Sequence, residues 1–211
     1  MYYNTFFVYL FLNLYYTNSM VTTNRKYEDI LKTARDLFWK YGFKRVSIEE
    51  ICRKAGVSKM TFYRFFPNKI ELARYVFDQE ANKGLMEFKG IMHEHTTPAE
   101  KLHKIMLLKL NGTNDISQEF LLDFYNNPEL GLKQHIEETT AGMWKEILGD
   151  FKEAQANGTF RKDFKPEFIL FITQKIMEMM NDVKISQMFS TPQEMIMELA
   201  AFFMYGISPH E

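Results

Sequence analysis

Lys59, Met60, Thr61 and Arg64 place cationic, hydroxyl and flexible apolar side chains at helical spacing, with Tyr63 among them. Such a face is short, polar and positively charged, which suits a helix that enters a DNA major groove and reads base edges. Other residues invite different chemistry and fail on spacing. His93 and His95 are two apart, whereas neighbours on one helix face are three or four apart. Glu100-x-x-His103 supplies half of a di-iron carboxylate site, and the sequence has no second copy of that motif. These histidines read as solvated side chains near a loop, so no metal and no cofactor is expected. Cys52 reads as a small core residue. No G-x-S-x-G, phosphate-binding loop, dinucleotide fingerprint or H-E-x-x-H occurs, and no enzymatic activity is expected.

The elements that must carry the cationic face are legible around it. Ser47 and Glu50 have the S-x-x-E spacing of a capping box, which starts a helix. Ile48, Ile51, Cys52 and Ala55 keep one side apolar, and Gly56 supplies a left-handed stop. Ser58 is a second N-cap, opening a helix from Lys59 to about Phe66 that Pro67 closes. Phe62, Phe65 and Phe66 face inward. Two short helices about a glycine turn form a helix-turn-helix, and an ordinary helical hairpin with a solvated face is the plainer alternative. Before them, Ile30, Leu31, Ala34, Leu37, Phe38 and Tyr41 form one stripe on a helix over 25–41 that Gly42 ends.

The run SIEEICRKAGVSKMTFYRFFPNKIEL resembles the DNA-binding signature of the TetR/AcrR family of bacterial transcriptional regulators. The match covers about residues 25–72. The resemblance implies an all-α fold, with a three-helix DNA-binding domain and a larger helical domain for ligand binding and dimerisation. It implies phosphate contacts by Ser47, Tyr63 and Lys69 and base-edge contacts by Lys59, Met60 and Thr61, with Ser58 and Arg64 on the same surface. Met60 is larger than the small residue common there. The expected divisions are an apolar extension at 1–19, the DNA-binding domain at 20–68 and the ligand and dimerisation domain at 69–211.

Charge supports that division. Residues 20–75 carry 13 Lys/Arg against 6 Asp/Glu, which leaves 13 against 21 for the remainder of a chain whose net charge is −1. The basic end attracts phosphate and the acidic remainder repels it. A single cysteine excludes a disulfide framework and suits a reducing cytoplasm. Residues 1–19 are apolar, without the basic start or cleavage site of a signal peptide. The leading reading is an upstream extension with Met20 as the functional start. A membrane tether and a packed appendage are the alternatives; the stretch is shorter than a spanning helix, and no membrane partner is expected.

Beyond the signature, Asn68 and Glu71 start a fourth helix that Gly84 and Gly90 bend or end. Thr97-Pro-x-Glu100 and Thr191-Pro-x-Glu194 start helices over 99–110 and 193–205. Helices over 117–125, 132–156 and 166–188 complete the chain. The last two are apolar on more than one side, which predicts a homodimer through 166–205. Met106, Phe120, Phe124, Tyr125, Met143, Trp144, Phe151 and Met180 suit a cavity for a small hydrophobic ligand, though each taken singly suits plain core. The function expected is a ligand-responsive regulator, acting as a repressor that binds an inverted-repeat DNA operator as a homodimer. The alternative is an all-helical enzyme or cofactor carrier.

Overall fold

A computed structural model describes residues 24–125, 131–168, 171–172 and 182–209, and among these there are helices and no strand. The helices are α1 (Arg25–Tyr41), α2 (Ile48–Ala55), α3 (Lys59–Phe65), α4 (Lys69–His93), α5 (Pro98–Gly112), α6 (Gln118–Tyr125), α7 (Leu132–Ala156), α8 (Val183–Ser186) and α9 (Pro192–Ile207). They form two compact units, residues 24–79 with 115–136, and residues 80–114 with 137–209. α4 is one helix whose residues divide between the two units. It passes through Gly84 and Gly90 without ending, contrary to one of the expected outcomes. The 1–19 extension and its three readings lie outside the described residues.

In the first unit α1 packs on α2, α3 and α6. Its stripe is buried from Ile30 to Phe38, with Ile30, Ala34 and Phe38 fully enclosed, while Tyr41 at its end is only half-buried. Trp39 lies off that stripe and is also enclosed, because α6 covers a second side of α1. The rings of Trp39 and Phe120 stand 4.4 Å apart, and Ser117 N–H donates to the Trp39 carbonyl at 2.9 Å. α6 thus belongs to the same compact unit as the helix-turn-helix, whereas the sequence division at residue 68 assigns it to the other domain.

Gly42 makes that packing possible. Its φ is +77°, and its N–H caps α1 by donating to the Phe38 carbonyl. A methyl group in place of its hydrogen would stand 2.8 Å from Asp123 Oδ2 and 2.9 Å from Glu119 Cβ. Both the backbone conformation and the proximity of α6 therefore demand glycine.

In the second unit, T-P-x-E forms both predicted caps. Thr97 and Glu100 close a reciprocal capping box, and Thr191 accepts from Glu194 N–H at 3.1 Å. α9 packs on α5, and Gln193 Nε2 donates to the Leu110 carbonyl at 2.7 Å. Phe88, Phe151 and Phe160 form a buried aromatic row. The 157–167 connection is held by Gln155, whose amide donates to the carbonyls of Arg161 and Phe164. The helix predicted over 166–188 is interrupted at Asp182, which is not helical and whose carboxylate accepts from Lys184 N–H at 2.7 Å. α8 starts afresh after it. Residues 169–170 and 173–181 of that segment lie outside the described residues.

Gly42→Ala is expected to destabilise the fold by about 2 kcal/mol or more through a strained φ and a clash with α6. Gly90→Ala, with open space about its Cα, is expected to stabilise α4 by about 0.5–1 kcal/mol. Chemical denaturation of the two variants checks the contrast, and equal effects would refute it.

Candidate nucleic-acid interface

The face begins with two caps. Ser47 Oγ accepts from Glu50 N–H at 3.1 Å and Ser58 Oγ accepts from Thr61 N–H at 3.1 Å. Between them Gly56 adopts φ +66°, ψ +32°, and its N–H donates to the Cys52 carbonyl. The starts of α2 and α3 and the stop of α2 are therefore all set within the 47–58 run itself. Phe62 is fully buried and Phe66 nearly so, while Phe65 is half-buried. Tyr27 of α1 stacks on Phe66 at 5.4 Å and meets Phe65 edge-on at 5.5 Å. These rings hold α3 on the three-helix core and settle which of its sides is free.

The free side carries the predicted residues. Met60 is 83% exposed and Tyr63 53% exposed, values that leave both side chains available to a partner. Tyr63 is oriented by an edge-on contact with Phe62 at 5.4 Å. Arg64 is exposed, with its guanidinium 5.1 Å from the Phe65 ring centroid. Ser47, Ser58 and Lys59 are exposed as well. Thr61 is half-buried, and its hydroxyl lies 3.0 Å from Ser58 Oγ. Lys59 forms an ion pair with Glu49 of α2, which lowers the carboxylate pKa and raises that of the ammonium. In the free protein the first cation of α3 is thus already engaged by an acid from the neighbouring helix.

Lys69 departs from expectation. Its ammonium donates to the carbonyls of Phe43 and Val46, each at 2.7 Å, and to that of Lys44 at 3.4 Å. It also lies 4.2 Å from the Phe43 ring centroid, and burial lowers its pKa. An ammonium has three donors. All three are directed at the 43–46 turn, so the ammonium clamps the segment that leads into the Ser47 cap rather than pointing outward. The same turn is held from α6 by Asp123, which accepts from Lys44 N–H at 2.8 Å. Asp123 is not visible as a partner in the sequence, because it lies 79 residues from Lys44.

A cationic group that sequence reasoning passed over surrounds Tyr41. Lys40, Arg45 and Lys54 stand 5.7, 5.1 and 5.6 Å from its ring centroid. Their nearness in sequence to Gly42 and Gly56 was a signal available beforehand.

The predicted ligand residues divide. Met143 and Trp144 are buried in α7 and Met106 is half-buried in α5, all within the second unit. Phe120 is packed on Trp39 in the first unit, as core of the helix-turn-helix half. The side chains of Phe124 and Tyr125, and Met180 entirely, lie outside the described residues. An open concavity about residues 94–104 is lined by none of the predicted residues.

The family model described as "Bacterial regulatory proteins, tetR family" matches residues 30–76, the span from α1 into α4. The chain carries the DNA-binding region of the TetR family. It is a helix-turn-helix, DNA-binding transcriptional regulator. The "Uncharacterized HTH-type transcriptional regulator YhgD" of Bacillus subtilis (strain 168) is 28% identical over 156 residues, covering 70% of this chain and 78% of that protein. The fold is similar to that of reduced E. coli NemR, with TM-score 0.64, 16% identity and coverage of 88% of this chain and 99% of that one. It is also similar to the regulator FadR of Bacillus subtilis in complex with stearoyl-CoA, with TM-score 0.62, 18% identity and coverage of 85% and 96%. Among the regulator's described residues, no helix is long and apolar enough to cross a membrane.

Two predictions follow from the clamp and the ion pair. Lys69→Met is expected to cost about 1.5–3 kcal/mol of stability by leaving carbonyls of the turn unpaired. It should leave the salt dependence of DNA binding unchanged, whereas loss of one phosphate contact would lower the slope by about 0.9. Parallel melting and salt titrations separate the two roles. Glu49→Gln removes a negative charge and frees Lys59, so DNA affinity at low salt should rise several-fold and converge on the parent as salt increases. Unchanged affinity at low salt would exclude Lys59 from the interface.

Proposed function

We propose that the chain is a repressor that binds an inverted-repeat operator as a homodimer and is released by a small hydrophobic ligand. The observation that carries the DNA half of this reading is the exposure of Met60 on a helix whose opposite face is anchored by Phe62 and Phe66. A large apolar side chain left in solvent at the centre of a polar, cationic face suits contact with a thymine methyl, which the major groove presents. Lys59 and Thr61 flank it for base edges, and Ser47, Tyr63 and Arg64 suit backbone phosphates. Lys69 serves by holding the 43–46 turn.

One short helix contacts too few base pairs for a unique genomic address, so two copies are required. α9 supports pairing in the second unit. Met195, Ile196, Ala200 and Phe203 are buried within the chain, while Phe202 and Tyr205 are 79% and 77% exposed. Phe168 and Phe171, stacked at 6.4 Å, are half exposed too. Apolar residues on a second face of the same helix suit a partner copy better than solvent. Support for the ligand is the Met and aromatic content about Met106, Met143 and Trp144, with the stearoyl-CoA bound by the similar FadR as an example of a lipophilic effector.

The test is a gel-shift series on DNA from upstream of the gene, with complex mass measured by sedimentation. Two chains per inverted repeat are expected. Met60→Ala should fold normally and alter preference at one base position per half-site by about 1–3 kcal/mol. Candidate fatty acyl compounds, bile acids, quaternary cations and hydrophobic drugs are then scored for release. A stable monomer at micromolar concentration, or a Met60 variant with unaltered preference, would overturn the corresponding part of the reading.

A further inference from the structure

The last turn of α4 and the last two turns of α7 bring His93, Asp150 and Glu153 together within the second unit. One ligating atom from each lies within 4.8 Å of the others. Asp150 and Glu153 are three apart on α7 and so share a helix face. They line one small recess with His93, Met92, Ala154 and Asn157.

Two independent features of this group point to a cation. The first is Asp150, which is 8% exposed, and whose Oδ2 is buried with no hydrogen-bond partner. A buried carboxylate oxygen without a donor is costly, and a bound cation would supply what is missing. The nearby ammonium of Lys89 is paired with Glu146. The second is the tautomer of His93. Its Nδ1 lies 2.8 Å from the Lys89 carbonyl, which can only accept, so Nδ1 carries the proton. A neutral ring then turns the Nε2 lone pair outward, and Nε2 lies 3.8 Å from Glu153 Oε2. That is too long for a hydrogen bond and close to the separation of two ligands on one ion, about 3.4 Å for tetrahedral geometry with bonds near 2.1 Å. A ring nitrogen donating to a backbone carbonyl while its other nitrogen faces carboxylates is the outer-shell pattern that supports metal-bound histidine. The site also lies at the negative end of the α4 dipole.

We propose that His93, Asp150 and Glu153 form a site for a divalent transition-metal ion of the zinc type. One nitrogen and two carboxylate oxygens would ligate it, and water would complete the coordination. The imidazole distinguishes such ions from magnesium and calcium, which take oxygen ligands. The ordinary alternative for these residues is an exposed His93–Glu153 ion pair above a buried acid. By spacing alone His93 has no ligand partner among His95, Glu100 and His103. The carboxylates that complete the group come from a helix more than fifty residues further along the chain.

The experiment uses the full-length chain without a polyhistidine tag, titrated with Zn²⁺ against a fluorescent chelator and melted with and without the ion. One ion per chain is expected, with a rise in melting temperature that EDTA reverses and millimolar Mg²⁺ does not reproduce. His93→Gln and Asp150→Asn are each expected to weaken Zn²⁺ binding at least tenfold. Asp150→Asn should at the same time raise the melting temperature of the metal-free chain, because it removes a buried charge. This second readout shows that the variant is folded. The double variant His95→Gln/His103→Gln, at exposed histidines outside the group, should bind as the parent does. Binding weaker than millimolar, more than one equivalent site, or binding unaffected by His93→Gln and Asp150→Asn would overturn the assignment.

Discussion

The helix-turn-helix depends on how the short turn before it is held. Residues 42–46 have no regular backbone pairing of their own, yet they must deliver Ser47 to the start of α2 in a fixed direction. Lys69 grips the turn through the carbonyls of Phe43 and Val46, and Asp123 grips it through the N–H of Lys44. A cation takes the acceptors and an anion takes the donor. Each is thereby satisfied in a place where neither could be left bare. Gly42, at φ +77°, is what lets α6 come close enough for Asp123 to reach. The clamp joins α1, α4 and α6 around the entry to α2, which is why α6 clusters with the DNA-binding half.

This arrangement explains which parts of the molecule were legible in the sequence. The caps at Ser47, Ser58, Thr97 and Thr191 were readable because a cap is decided within four residues, and the side chains of all four make the expected bond. The stripe of α1 was readable because periodicity reports the face that meets the core. Trp39 was not placed, since it faces a second element that the period of one helix cannot name. The bonds of Lys69 to the turn were not foreseen for the same reason. At the N-terminus of a helix in a basic segment, an ammonium suits a phosphate equally well on local grounds. Only the position of the 43–46 turn, set by tertiary packing, decides where its donors go.

The surface divides its exposed apolar side chains between two places with different meaning. On α3, Met60 and Tyr63 stand among cations, so the surroundings select a polyanion with a partly apolar groove. On α9, Phe202 and Tyr205 stand on a helix without a basic residue, and the segment that carries Phe168 and Phe171 precedes it. There the surroundings suit another apolar surface, as the proposed pairing requires. Charge segregation thus does more than attract DNA. On the proposed reading it would keep each surface from competing for the other's partner, since like-charged or desolvated polar groups oppose the wrong pairing.

Regulation in such a protein is constrained by thermodynamics before any route is considered. An effector that binds equally well to DNA-competent and DNA-incompetent forms changes nothing, however tightly it binds. A coupling of about 1–3 kcal/mol, enough for a 5–150-fold change in DNA affinity, requires some element with two arrangements of nearly equal energy. The turn at 42–46 is a poor candidate for that element, because both of its partners are charged and releasing either one strands a buried polar group. The surface pair Lys59–Glu49 is a better one. Both side chains are more than half exposed, so exchanging the acid for a phosphate would strand no buried group and would cost little. Rigidity at the entry to α2 and lability on the outer face of α3 are therefore complementary. The first fixes where α3 stands, and on the proposed reading the second would keep its cation available without leaving it unpaired when DNA is absent.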